Sequence, residues 1–226
     1  MGAKRYPSVR PNRFHLLVTA GPTREMLDPV RFLSNVSTGH MGYEIARKAK
    51  QMGFRVVLIS GPTALKPPKG VSFVSVLTAE HMKQAIFRFW PQTDALVMTA
   101  AVCDYTPVHF SPAKIKRIKQ KTIKFKRTVD ILEQVEKRKG GRVVVGFALE
   151  TEAVERNALK KLKRKNLDMI VANWYDKKSN PFGDRKTSMI LMGRSGSRRP
   201  LRDVTKAKSA EAILEEVLSL LAAKKG

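Results

Sequence analysis

Short, continuous apolar runs separated by helical patterns constrain this chain more than any other feature. FHLLVTA begins at Phe14, RVVLIS at Arg55, VSFVSV at Val71, DALVMTAA at Asp94, RVVVGFA at Arg142 and DMIVAN at Asp168. Runs of this length, closed by turn residues such as Gly21 and Pro22, suit strands covered on both faces, because a strand with one wet face alternates instead. The patterns between them predict helices over 41–52, ended by Gly53, and over 79–90, ended by Pro91. Val154, Ala158 and Leu162 share one face of a third helix over 151–166, and a fourth over 209–223 closes the chain. Strand and helix in alternation imply an α/β fold. Its core is a Rossmann-like parallel sheet flanked by helices, with ligands bound beyond the carboxyl ends of the strands.

Two segments depart from this pattern. In 111–127, Ile115, Ile118, Ile123 and Phe125 are interleaved with lysine and arginine, and the alternation in TIKFKR predicts a basic strand or hairpin arm whose charges guard an exposed edge. Residues 1–13, rich in proline and arginine with little to bury, read as a flexible basic extension. That leaves 14–226 as a single domain, and 226 residues at 42% hydrophobic composition suffice for one core. No run nears the roughly 20 apolar residues a bilayer crossing needs, and the opening lacks a signal peptide's apolar stretch. A cytoplasmic protein is expected. Cys103 is the only cysteine and has no intrachain partner.

The balance of 44 basic against 19 acidic residues, a net charge of +25, says that polyanions are attracted without saying which. A nucleic-acid-binding protein and an enzyme of phosphorylated substrates are both compatible with it. After the first strand, a long polar connection containing Gly21, Gly39 and Gly42 opens into the helix at Met41, where backbone amides can face an anion. The helix dipole adds only about 0.3–1 kcal/mol near a surface, so several amides and side chains must act together. These glycines do not form GxGxxG, and no acidic residue closes the strand after Arg55 to hold a ribose. An NAD(P)- or flavin-dependent oxidoreductase is thereby disfavoured. The histidines at 15, 40, 81 and 109 are scattered and no CxxC or HExxH spacing occurs, so no metal ligands are assigned.

TAGPTREMLDPVRFLSN at 19–35 followed by STGHMG at 37–42 closely resembles the loop of phosphopantothenate-cysteine ligases. AAVCDY at 100–105, KIKR at 114–117, VDIL at 129–132, VGFALET at 145–151 and RKNLDMIVAN at 164–173 continue the resemblance in order and at similar spacing. It runs strongly from Phe14 to Asn173 and loosely thereafter. A stand-alone ligase of coenzyme A synthesis is implied. In that chemistry the carboxylate of 4'-phosphopantothenate attacks the α-phosphorus of a nucleoside triphosphate, CTP favoured over ATP, and the amine of cysteine then displaces CMP from the acyl-nucleotide.

The resemblance also implies residue roles. Asn35 would bind the acyl intermediate through an amide able to donate and accept at once, and Arg31 would clamp phosphate or carboxylate in the second half-reaction. Lys114 would offset charge on the transferring group and leaving pyrophosphate. Met98, Thr99, Ala100 and Asp104 would contact the nucleotide, as would Val129, Asp130, Ile131, Leu132 and Phe147. Lys161 and Lys165, four residues apart on one helix face, would point at it together. Thr128 and Val129 stand where the family usually has Asn-Pro before Asp-Ile. Mg2+ carried by the triphosphate and a homodimer paired partly through the basic arm are further implications; neither a membrane nor a nucleic-acid partner is expected.

Overall fold

In the computed structural model, which describes residues 11–117, 122–174 and 182–225, each predicted apolar run supplies a strand of one eight-stranded sheet. In chain order the elements are β1 (His15–Ala20), the hairpin of β2 (Arg24–Met26) and β3 (Phe32–Ser34), α1 (His40–Gln51), β4 (Arg55–Ser60) and β5 (Ser72–Ser75). Next come α2 (Ala79–Phe89), β6 (Ala95–Met98), the paired β7 (Tyr105–Pro107) and β8 (Phe125–Arg127), and α3 (Ile131–Glu136). β9 (Val143–Glu150), α4 (Val154–Arg164), β10 (Met169–Trp174), β11 (Thr187–Gly193), β12 (Arg198–Val204) and α5 (Lys206–Lys225) complete the chain. Residues 1–10 of the expected extension and 118–121 of the expected arm lie outside the described residues.

The strand order is β12-β11-β10-β9-β6-β1-β4-β5, parallel from β10 through β5. The expected parallel sheet is formed by the six apolar runs, and two further strands, not foreseen in the sequence, extend it at one edge. β11 runs antiparallel to β10, and β12 to β11. For β12 the reason is local: the short turn at 194–197, with Gly196 at φ 89°, returns the chain directly beside β11, so no helical crossover intervenes. The alternating burial of β12 marks an edge strand with one wet face.

β1 is buried on both faces, as its unbroken apolar run requires. Leu16, Val18 and Ala20 pack on the side covered by α1 and α5, while Leu17 faces the layer of α2, α3 and α4. β1 pairs with β4 on one side and β6 on the other. The chain therefore reverses its direction of winding between β1 and β6, and the connections leaving these strands diverge to leave a crevice at the carboxyl edge.

Helix boundaries follow their caps. Thr78 accepts the His81 N–H at 3.2 Å to open α2, and Asp130 accepts the Glu133 N–H at 3.1 Å to open α3. α4 starts later than the expected 151, because Ala153 takes a left-handed conformation at φ 45°. α5 starts earlier than expected, at Lys206, with the Thr205 hydroxyl accepting the Lys208 N–H at 3.3 Å.

Candidate active site

At the point of divergence lies a cavity of 850 Å³, walled by the segments 35–42, 98–105, 127–133 and 147–149 together with side chains from α4, β10 and α5. β6 stops at Met98, opposite Gly146, whereas β9 continues to Glu150 beside β10. Beyond Gly146 one edge of β9 thus faces the cavity instead of another strand. The Lys161 ammonium takes up part of that edge, donating to the Phe147 carbonyl at 2.7 Å.

The loop 99–103 forms a fixed floor. Thr99 Oγ1 donates to the Thr19 carbonyl at 2.5 Å, the Ala100 N–H to Thr19 Oγ1 at 3.2 Å, and the Ala101 N–H to the Gly21 carbonyl at 2.9 Å. The Ala101 carbonyl accepts from the Thr23 N–H at 3.1 Å and from Asn35 Nδ2 at 3.0 Å, so the amide of Asn35 is aimed across the start of the cavity. Cys103 is buried beneath this loop, and burial pushes its thiol pKa up. Its role is packing.

Gly39, at φ 81°, precedes α1 without a side-chain cap, so the first N–H groups of the helix are not claimed by one. His40, Met41 and Gly42 line the cavity at this end. On the opposite face of the sheet, Lys165 is 8% exposed and its ammonium lies 2.5 Å from Asp130 Oδ2 and 3.8 Å from Glu133 Oε2. Burial alone would raise the pKa of Asp130; the Lys165 ammonium and the Glu133 N–H overcome this and hold it below its ordinary value. Burial depresses the pKa of Lys161, partly offset by the carboxylates of Glu150, Asp130 and Asp104. An incoming phosphate would favour its charged form.

Of the residues singled out in the sequence, Asn35, Met98, Thr99, Ala100, Asp104, Val129, Asp130, Ile131, Leu132, Phe147, Lys161 and Lys165 all line the cavity. Arg31 and Lys114 do not. Arg31, expected to clamp a substrate, grips Asp28 through Nε at 2.9 Å and one terminal nitrogen at 2.6 Å, and donates to the Ile115 carbonyl at 2.7 Å. Asp28 is fully buried and also accepts the N–H groups of Val30, Arg31 and Ile115. Burial opposes charge on Asp28, but the guanidinium and these amides hold its carboxyl well below the usual carboxylate range. The exposed Lys114 rides on this anchored turn, outside the cavity wall.

Asp28→Asn breaks that anchor without touching the cavity. If the segment carrying Lys114 works at the nucleotide, the variant should slow pyrophosphate release in the absence of cysteine about as much as Lys114→Gln does, with little loss of nucleotide affinity. An unchanged release rate in both variants would exclude the segment from nucleotide activation.

The sequence reading missed other wall residues. Asn173 lies within the RKNLDMIVAN motif and was not selected, yet its Oδ1 is buried at the cavity with no hydrogen-bond partner among the described residues. Arg164, Phe182 and Lys206 also line the wall. Among the described residues, no group of three or more histidine, cysteine, aspartate or glutamate side chains could hold a metal ion.

Residues 12–221 match the DNA/pantothenate metabolism flavoprotein C-terminal domain family. This chain belongs to that family. It is similar to the coenzyme A biosynthesis bifunctional protein CoaBC of Bacillus subtilis (strain 168), 42% identical over 208 residues, covering 91% of this chain and 51% of that protein. A second relative, CoaBC of Escherichia coli (strain K12), is 38% identical over 211 residues, covering 91% of this chain and 52% of the other. The chain thus spans about half the length of these relatives. Its fold matches the crystal structure of a CoaBC C-terminal domain with a TM-score of 0.81 at 38% identity, covering 93% of this chain and 96% of that one. The family's mostly parallel α/β sheet is the one seen here. No helix among the described residues is long and apolar enough to cross a membrane.

Proposed function

We propose that this protein is a phosphopantothenate-cysteine ligase that activates the carboxylate of 4'-phosphopantothenate with CTP and then joins it to cysteine, releasing CMP and pyrophosphate. The observation that carries this reading is the convergence of loops from both sides of the β1/β6 reversal on one cavity large enough for a nucleotide and an organic acid together. The relationship to CoaBC supports it.

In this reading the floor and the Asn35 amide hold the acid's carboxyl group, the α3 and α4 side takes the nucleotide, and the protein acts mainly by alignment. Effective alignment of this kind is worth about 7–11 kcal/mol of barrier. Magnesium fits as an ion brought by the nucleotide, since Asp104 is an exposed carboxylate on the wall and Asp130 is already paired with Lys165. When bound, it would neutralise phosphate charge.

A homodimer belongs to the same proposal. Phe32 and Leu33 on β3, Tyr105 on β7 and Phe125 on β8 are exposed apolar side chains on two neighbouring hairpins, a surface suited to a second copy. Sedimentation at the monomer mass of 25.4 kDa at every concentration would overturn it.

The deciding experiment mixes purified protein, 4'-phosphopantothenate, cysteine and magnesium with each nucleoside triphosphate separately and identifies the products by mass. CTP is expected to give the amide with CMP and pyrophosphate. No amide with any triphosphate would overturn the reading.

A further inference from the structure

The cavity lies at the carboxyl edge of the sheet; the opposite, amino edge carries a different surface. α2 ends there in Phe87, Arg88 and Phe89, Trp90 follows, and the turn after α3 brings Arg138 and Arg142 alongside before β9 begins. The arginines are held over rings: the guanidinium carbon of Arg138 lies 4.5 Å from the centre of the Phe87 ring, that of Arg142 5.0 Å from the Trp90 ring and that of Arg88 5.7 Å from the Phe89 ring. The rings are in turn locked to one another and to the turn. Phe87 and Trp90 meet edge to face with centres 6.1 Å apart, Trp90 Nε1 donates to the Arg138 carbonyl at 2.8 Å, and Arg142 Nε donates to the Trp90 carbonyl at 3.2 Å.

Four other arginines are neutralised: Arg31 pairs with Asp28, Arg47 with Glu44, Arg198 with Glu155, and Arg199 with Glu215 and Glu216. Arg88, Arg138 and Arg142 form no ion pair among the described residues and rest on aromatic faces instead. The buried carboxylate of Asp168 behind the turn is already taken by Lys139 at 2.9 Å and Lys224 at 2.8 Å, and Lys224 also donates to the Arg142 carbonyl at 2.8 Å. This corner therefore holds fixed positive charge without a matching counter-charge.

An arginine stacked on a ring keeps its N–H donors at the rim and one face of its plane for a further flat group. A nucleic-acid strand offers both complements, phosphate oxygens for the donors and bases for the planes. A bilayer asks for apolar side chains that insert, and here Phe87 and Phe89 are half-buried and Trp90 is buried beneath the arginines. An acidic peptide would meet the charge and leave the planes unused. We propose that this corner binds single-stranded nucleic acid through Arg88, Arg138 and Arg142, with phosphates on the guanidinium rims and bases against their outer faces. The surface is separate from the cavity, so the assignment does not depend on the ligase reading.

The test follows, by fluorescence anisotropy, binding of a labelled single strand of about 20 nucleotides, long enough to cover such a site, as RNA and as DNA. Wild type is compared with Arg88→Glu/Arg138→Glu and with Arg156→Glu/Lys160→Glu, which reverses the same number of charges at exposed positions of α4. For wild type the logarithm of affinity is expected to fall with the logarithm of salt at a slope of about −2, the value for three phosphates on a single strand. The corner variant is expected to lose about tenfold or more in affinity, with a shallower salt slope, and the α4 variant about threefold or less. Tighter binding of the RNA assigns the surface to RNA, and tighter binding of the DNA to DNA. Equal losses in the two variants would make overall charge the cause and overturn the proposal. So would displacement of the strand by CTP, equal binding of a duplex of the same length, or tighter binding to phosphatidylserine-containing vesicles or polyglutamate. Should the corner variant fail to fold, crosslinking of wild type to a strand carrying 4-thiouridine decides, with adducts required within 87–90 or 138–142.

Discussion

Replacing Asn35 by aspartate is expected to lower amide formation by about 10²–10³-fold while leaving nucleotide affinity nearly intact, the scale typical of removing one aligned donor from a site of developing charge. Asn35 Nδ2 donates to the Ala101 carbonyl at 3.0 Å. A carboxylate cannot make that bond and would face the carbonyl's lone pairs instead, so the side chain should swing away from the floor. It would also place negative charge where, in the proposed reaction, an organic acid enters. The α3 and α4 side of the cavity is untouched, which is why CTP binding by calorimetry should persist while product formation by mass falls. Wild-type amide formation by Asn35→Asp would remove this residue from its proposed role.

Gly42→Val is expected to damage both stability and nucleotide binding. A Cβ at Gly42 would lie 2.5 Å from the Ala20 methyl, 2.5 Å from Thr99 Oγ1 and 3.0 Å from the Thr19 carbonyl oxygen. Nothing there is the free end of a flexible chain: Ala20 is fully buried in β1, and Thr99 Oγ1 is committed to the Thr19 carbonyl. α1 must therefore lift at its first turn. Overpacking of this kind costs about 1–3 kcal/mol, and each kcal/mol corresponds to roughly 2–4 °C in Tm for a chain of this size. Lifting the turn also moves Gly39, His40 and Met41 away from the cavity, so the Kd for CTP should rise even at temperatures where the variant is folded. A Tm and a Kd both equal to wild type would show that α1 does not need its close approach to β1.

Much of the architecture was legible because burial on two faces leaves an unmistakable trace. FHLLVTA and RVVVGFA have no polar face to offer, and both lie in the centre of the sheet. The small elements were harder to read. α3 is six residues long, and in VDILEQVE its apolar positions do not repeat often enough to reveal a period. In β12, RRPLRDV carries three arginines and a proline, so an edge strand looks like a charged loop until its partner β11 is known.

The site divides in the same way. Residues inside ordered motifs were found, but Lys206 sits in KAKSAEA, where a lysine looks like a solvated helix charge, and only the packing of α5 buries it. Arg31 shows the converse. Its chemistry suits a substrate clamp, but its grip on the wholly buried Asp28 three residues earlier was not legible, because no local pattern announces that an aspartate will be enclosed.

The lacing of loop 99–103 to the end of β1 has a consequence for motion. Thr99, Ala100, Ala101 and Cys103 are tied to Thr19, Gly21 and Thr23 by main-chain and hydroxyl bonds from both directions. Rearrangement in this stretch would require several of these ties to be given up together. Adjustment to reactants of different sizes must then come from the perimeter, and the base against which they meet keeps its shape through the whole cycle.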